Sequence, residues 1–315
     1  MSDSENSGRE VSPAETASTP AAREGAAPGP AKKGMPRKWL YVVLVLAFLF
    51  VMMPYLLWQA TWFGRPLNDE QMVKAFVDVV HPREAQHALS QVADRMESSD
   101  PHVRESAKQW YPRVVLESTS SDPALRSTSA WVMGADPTEP SFHAALLRLL
   151  QDPDPMVQRN AALSLVRFKD DAGHDLIVSM LQPWGLASPA AGKLAERLTV
   201  GDTVNVGTLV GRIDAGGDKV EIRTKMPGTL DHWLVQDGAT VTLDQHIAQL
   251  DPGQDMVLNS LAALYFIGRE QDIQSIAPYA RGVPGMPPSV AQQASQSMDA
   301  IRSRASAPTP APAKP

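Results

Sequence analysis

Two consecutive segments of this chain copy one another, and a duplication of that length dictates a fold with internal symmetry. The first, Ser188 to Asp214, reads SPAAGKLAERLTVGDTVNVGTLVGRID; the second, Thr224 to Asp251, reads TKMPGTLDHWLVQDGATVTLDQHIAQLD. Gly192, Gly201, Gly207 and Asp214 align with Gly228, Gly238, Asp244 and Asp251, at gaps of 9, 6 and 7 against 10, 6 and 7. Candidate inward positions align as well: Leu194 with Leu230, Leu198 with Leu234, Val204 with Val241, Val206 with Leu243, and Ile213 with Leu250. Short V-x-V alternations punctuated by Gly-Asp, Asp-Gly and Gly-Gly steps read as β-strands. Two like halves therefore predict a pseudo-twofold β-sandwich. Between them lies DAGGDK, where Gly216 and Gly217 suit a tight primed turn.

On both sides of the duplication the pattern changes to helical periods. Three segments, SDPHVRESA, SDPALRSTSA and DPDPMVQRNAA, place an aliphatic two residues after a proline at Val103, Leu125 and Val157, spaced 22 and then 32. A small residue follows four positions on (Ala107, Ser129, Ala161) and a larger one eight positions on (Tyr111, Met133, Leu165), so one helix face carries each set. Asp before Pro caps the helix start and fixes its first turn. AALLRLLQ before DPDP and HDLIVSMLQ after Phe168 supply partner helices. The beat resumes beyond the duplication with Val257, Leu261 and Tyr265, then Val290, Ala294 and Met298. Val157 and Val257 are 100 residues apart; subtracting the 67 from Leu186 to Pro252 leaves 33, and Val257 to Val290 is also 33. The β segment is expected to be a domain inserted into a helical solenoid.

Between Lys38 and Arg65 no residue is charged, and LYVVLVLAFLFVMMPYLLW approaches the roughly 20 apolar residues that cross a bilayer. Trp39 and Tyr41 at one end, with Tyr55, Trp58 and Trp62 at the other, read as interfacial rings. Lys32, Lys33, Arg37 and Lys38 precede the segment, so the positive-inside bias predicts a cytoplasmic N-terminus, a single-pass anchor over residues 37–63 contacting the lipid bilayer of a bacterial inner membrane, and a periplasmic remainder. Residues 1–36, rich in Ser, Ala, Glu, Gly and Pro, and the Pro/Ala tract 305–315 are expected to be disordered. The partition between them is helical repeats at 64–185, the β domain at 186–252 and helices continuing the solenoid at 253–304. The expected fold class is multidomain: one transmembrane helix and an α-solenoid carrying an all-β insertion.

The helix pairs, with D-x-x-V-R starts, resemble HEAT repeats. That resemblance implies that Arg104 and Arg126, at equivalent places, bond the acidic loop of a neighbouring repeat. Trp110 and Trp131, on the first helices of the repeats, fill the stack or face a partner groove; these four residues are the candidates for partner contact. The patterns P-x-x-G-x-L, V-G-D-x-V-x-x-G-x-L and a second P-G-x-L resemble the biotinyl/lipoyl domain, a small barrel-sandwich fold also found in membrane fusion proteins, the periplasmic adaptors. For a biotin or lipoyl carrier the resemblance implies a modified lysine at the hairpin tip. Counting back 11 from Gly228 reaches Gly217, and the nearest lysine, Lys219, stands two positions later, with Lys225 farther still. Lys219 is thus the one candidate for modification, while the departure from the pattern makes an unmodified module, with no cofactor, the expectation. Membrane fusion proteins usually carry a helical hairpin between the halves; here a short turn joins them.

With 29 Lys+Arg against 35 Asp+Glu, a formal charge of −6 and no cysteine, the chain offers no basic stripe for nucleic acid and no disulfide, thiolate metal site or cysteine nucleophile. The seven histidines form no H-E-x-x-H pair, and Walker, dinucleotide and G-x-S-x-G fingerprints are missing. Asp152 and Asp154, like Asp170 and Asp171, sit at helix boundaries, where capping accounts for them. The resulting expectation is a non-enzymatic scaffold or adaptor that binds protein partners in a membrane or envelope complex, transport being one setting, with no catalytic residue, metal or small-molecule substrate. The alternatives are an accessory subunit of a respiratory or photosynthetic complex, and a biotin or lipoyl carrier modified at Lys219.

Overall fold

The computed structural model describes residues 37–60, 66–78 and 80–306, in two units divided between Gly64 and Arg65. In the first unit, α1 (Arg37–Ala60) is a helix. The transmembrane helix expected over 37–63 is not supported: among the described residues no helix is long and apolar enough to cross a membrane. The bilayer contact assigned to those residues loses its basis with it. Residues 61–63 of that expectation, and the tails expected at 1–36 and beyond 306, lie outside the described residues.

The second unit is a helical solenoid interrupted by a β module. Helices α3 (Pro82–Met96), α6 (Pro123–Met133), α8 (Pro155–Arg167), α10 (Gln254–Ile267) and α12 (Pro288–Ser306) pack in succession into one row. Against that row lie α2 (Asp69–Val77), α4 (Pro101–Ala107) with α5 (Tyr111–Glu117), α7 (Pro140–Leu149), α9 (His174–Ser179) and α11 (Ile273–Ala280). The caps are those the Asp-Pro steps predict. Asp100, Asp122 and Asp154 each accept a hydrogen bond from the backbone N–H two residues on, at 2.8, 2.8 and 2.9 Å, and proline occupies the first turn, where its missing N–H costs nothing.

Leu125, Val157, Val257 and Val290 are all buried in the first row, with Ser129, Ala161, Leu261 and Ala294 one turn on. The Asp100–Pro101 start does not share that register: α4 belongs to the opposing row, and Val103 is only partly buried. A capped Asp-Pro start is a local signal and says nothing about which row the helix joins. Tyr265, eight positions beyond Val257, is likewise 40% exposed.

Contacts across the insertion keep the solenoid continuous. Ser260 Oγ donates to the Ile177 carbonyl at 2.7 Å, the Tyr279 hydroxyl donates to the Leu181 carbonyl at 2.8 Å, and the buried His174 Nε2 meets Asp272 Oδ2 at 2.8 Å. Residues from Leu67 to Ile301 accordingly share one hydrophobic core, while the β module has its own.

The module contains β1 (Trp184–Ala187), β2 (Gly192–Glu196), β3 (Thr203–Val204), β4 (Leu209–Ala215), β5 (Asp218–Arg223), β6 (Gly228–Trp233), β7 (Thr240–Val241) and β8 (His246–Pro252). They form two antiparallel sheets ordered β1-β8-β6-β3 and β5-β4-β2-β7. Exchanging β1–β4 with β5–β8 turns one order into the other, the twofold relation that the duplication predicts. The registers obey it as well, with Gly192 opposite Val241 and Gly228 opposite Val204. The barrel-sandwich closure does not form. Among the described strands none pairs one sheet to the other, so β1 and β5 each remain an open edge. Of the aligned residues expected inward, Val206, Leu243 and Leu234 are 58%, 59% and 49% exposed; β3 and β7 end at Val204 and Val241, so the second apolar residue of each V-x-V pattern falls in a turn.

Trp184 pairs with Leu250, so the chain leaves and rejoins the solenoid about one strand spacing apart, ~4.8 Å. Replacing residues 184–252 with two glycines is expected to leave a helical protein that melts cooperatively by circular dichroism. A melt without cooperativity would show that the module is part of the solenoid's stability rather than an insertion into it.

Candidate protein-binding surfaces

Trp131 on α6 is 51% exposed, a large apolar area left open by a helix whose other face is buried at Leu125, Ser129 and Met133. Trp110 is different. It closes the short turn between α4 and α5, is 7% exposed, and packs against Phe76 with ring centroids 5.8 Å apart. Its ring forms the wall of a groove of about 350 Å³ between α2 and α5, rimmed by the exposed Val73, Val77 and Leu116. Arg113 spans the groove, 5.2 Å from the Phe76 ring centroid and paired with Glu117 at 2.7 Å. A second open cleft, of about 770 Å³, separates α10 from α12 and is edged by Tyr265 and Phe266, 40% and 67% exposed. Neither cleft follows from the repeat template, which counts valines and aromatics as core.

The two arginines part company. Arg126 holds Asp152 in the loop before α8 through two bonds, Nε to Oδ2 at 2.7 Å and an Nη to Oδ1 at 2.8 Å, and also donates to the Ser120 and Ser121 carbonyls. This is the link to a neighbouring repeat's acidic loop that the resemblance implies. Burial raises the pKa of Asp152, yet the Arg126 hydrogen bond and the N–H of Asp154 outweigh it and hold the carboxyl below its ordinary 3.8. Arg104 does not make that link. Its guanidinium donates to Ser98 and Ser99 carbonyls of its own loop at 2.6 and 3.0 Å, because α4 sits in the opposing row.

At the hairpin tip Gly216 (φ 78°) and Gly217 (φ 115°) form the turn between β4 and β5, with Ala215 opposite Asp218. Positive φ at both central residues is what a primed turn requires and what glycine supplies. Lys219 stands on β5 opposite Asp214, and the apical position is Gly217, which offers no amine. Asp78, His81 and Glu84 place ligand-type atoms within 4.8 Å of one another. Asp78 is already engaged there, accepting from the Val80 and His81 N–H groups and meeting His81 Nδ1 at 2.9 Å, which accounts for the group as a turn preceding α3.

Against known proteins, residues 113–184 match the HEAT-repeat family. The match begins in α5, runs through α6 to α9 and stops where the β module starts. No curated protein matches the chain. Among solved structures, a single-chain, multi-domain long-chain acyl-CoA carboxylase aligns at 16% identity over 40% of this chain and 14% of its own, with a TM-score of 0.22. The helical region of this protein is thus similar to HEAT repeats over residues 113–184, the segment the family model matches.

Proposed function

We propose that the protein is a non-catalytic scaffold whose HEAT-type solenoid binds a protein partner, within an envelope or membrane complex, through the face that carries Trp131. The observation behind this reading is the 51% exposure of that tryptophan inside the segment similar to HEAT repeats. Stacked helix pairs offer extended surfaces to other proteins, and a tryptophan is the side chain that most often anchors such contacts. On this reading the pseudo-twofold β module is an unmodified relative of the biotinyl/lipoyl type, used for contact rather than for carrying a group.

Two measurements test the proposal. A photo-crosslinking amino acid placed at position 131 in the native host is expected to yield one discrete protein adduct, and the same probe at Lys219 none; an absence of adduct at 131 removes the assigned face. Intact-mass measurement of the natively expressed chain is expected to show no added group, whereas a biotinyl or lipoyl mass on Lys219 would make it a carrier instead.

A further inference from the structure

Among the described residues four buried side-chain polar atoms lack a hydrogen-bond partner, and two of them, Trp110 Nε1 and Arg113 Nε, belong to residues that line the groove between α2 and α5. Both are donors. Trp110 is 7% exposed, so its indole N–H has given up water without gaining an acceptor. A buried donor left in that state carries its full desolvation cost, and such groups are few enough that each calls for an explanation.

The surroundings decide which acceptor fits. The charge of Arg113 is already met by Glu117 at 2.7 Å, and an Nη donates to the Phe76 carbonyl. Glu117 exposes 9% of its side chain, and a second carboxylate beside it would be repelled at close quarters. The unpaired donors therefore suit a neutral acceptor. Around them the rim is apolar, with Val73, Val77 and Leu116 at 54%, 67% and 56% exposed. A solenoid needs a polar outer face on its terminal repeat, yet α2, the first helix of the second unit, presents two valines. At about 350 Å³ the groove lies at the small end of ligand sites. A polypeptide joins the two required features in each apolar residue, a hydrocarbon side chain beside a neutral main-chain carbonyl.

We propose that this groove binds a leucine-sized apolar residue of a partner polypeptide, its side chain lying among Val73, Val77 and Leu116 and its main-chain carbonyls accepting from Trp110 Nε1 and Arg113 Nε. Trp131 is not among the groove's walls, so this assignment stands or falls apart from that of the Trp131 face.

N-acetyl-leucine methylamide is the probe, titrated into the full-length chain and followed by NMR. The signals are the methyls of Val73, Val77 and Leu116 and the Trp110 indole N–H, identified by its loss in Trp110→Phe. The expected result is a saturable shift at all four residues, the indole proton moving downfield as it gains an acceptor. N-acetylglycine methylamide, which lacks the side chain, is expected to shift none of them. N-acetyl-leucine, which carries a carboxylate, should bind at least about threefold more weakly than the amide. Trp110→Phe and Leu116→Gln should each weaken binding of the leucine amide at least about threefold, read at the remaining methyls. The exposed Leu116 site keeps the test open if Trp110→Phe fails to fold. No saturable shift, equal binding of the glycine amide, or undiminished binding by either folded variant would overturn the proposal. Methyl shifts with an unmoved indole proton would mark an apolar contact without the hydrogen bond and refute it too, as would tighter binding of N-acetyl-leucine, the mark of an anion site.

Discussion

Replacing Arg126 with alanine is expected to destabilise the protein by roughly 3–5 kcal/mol, the cost of stranding one member of a buried ion pair. Arg126 and Asp152 expose 13% and 6% of their side chains. Without the arginine, the Asp152 carboxylate keeps only the Asp154 N–H at 2.9 Å, and the Ser120 and Ser121 carbonyls lose a donor. The loss reads out as a lower urea midpoint at an unchanged m-value. Its pH dependence identifies the cause. In the wild type the Asp152 pKa is depressed below 3.8, so its contribution is complete above that value and is lost as pH falls through the folded pKa. In the variant, burial without a partner raises the same pKa, so protonation relieves the stranded charge. The gap between wild type and variant should shrink on going from about pH 7 to about pH 3; a constant gap would show that the ion pair is not its source. Arg104→Ala, at the aligned position, should stay within about 1 kcal/mol, because that exposed side chain reaches only carbonyls of its own loop.

The contrast between these arginines shows where reading the chain works and where it stops. An Asp-Pro cap and a small-large aliphatic pattern are local, and they locate helix starts correctly at Pro101, Pro123 and Pro155. Row membership depends on which helix lies alongside, and no spacing within one helix encodes that. Of the two tryptophans, Trp131 was the legible one. At about 100° per residue it stands, six residues beyond Leu125, about 120° round α6 from it and off the buried face, whereas Trp110 ends a 3₁₀ turn, Lys108–Trp110, that breaks the α-helical period counted from Val103. Arg159, two beyond Val157, also faces away from the row's core and reads as solvated. It is buried beside Met256 of α10, about a hundred residues on, and a helical period carries no information about such a neighbour. Symmetry of the β module was encoded by aligned glycines and aliphatics. Closure was not, since it depends on the separation of the β1 and β5 edges, which alternation does not specify.

Gly192→Ala and Gly228→Ala should each cost about 3 kcal/mol, the upper end of overpacking penalties. A Cβ on Gly192 would stand 2.2 Å from the Asp214 carbonyl oxygen, and one on Gly228 would stand 2.4 Å from that of Asp251; even close carbon–oxygen contacts between strands are ordinarily about 3.3 Å or longer. Both oxygens belong to the backbone of the neighbouring strand, at twofold-equivalent registers, Lys193 opposite Asp214 and Thr229 opposite Asp251. A side chain could swing aside, but these carbonyls move only if β2 parts from β4, or β6 from β8. The other aligned pair, Gly201 and Gly238, provides the control. A Cβ at either meets nothing within 4 Å, and their positive φ of 93° and 78° leaves only the conformational penalty of about 1–2 kcal/mol. Urea denaturation of the four alanine variants should therefore rank them in two matched pairs, with the strand glycines the more costly. If Gly201→Ala proved worse than Gly192→Ala, the glycines would be serving turn geometry and not the close approach of symmetric strands. If Gly192→Ala and Gly228→Ala differed by more than the spread within the other pair, the two halves would be alike in sequence but unequal in the forces that hold them.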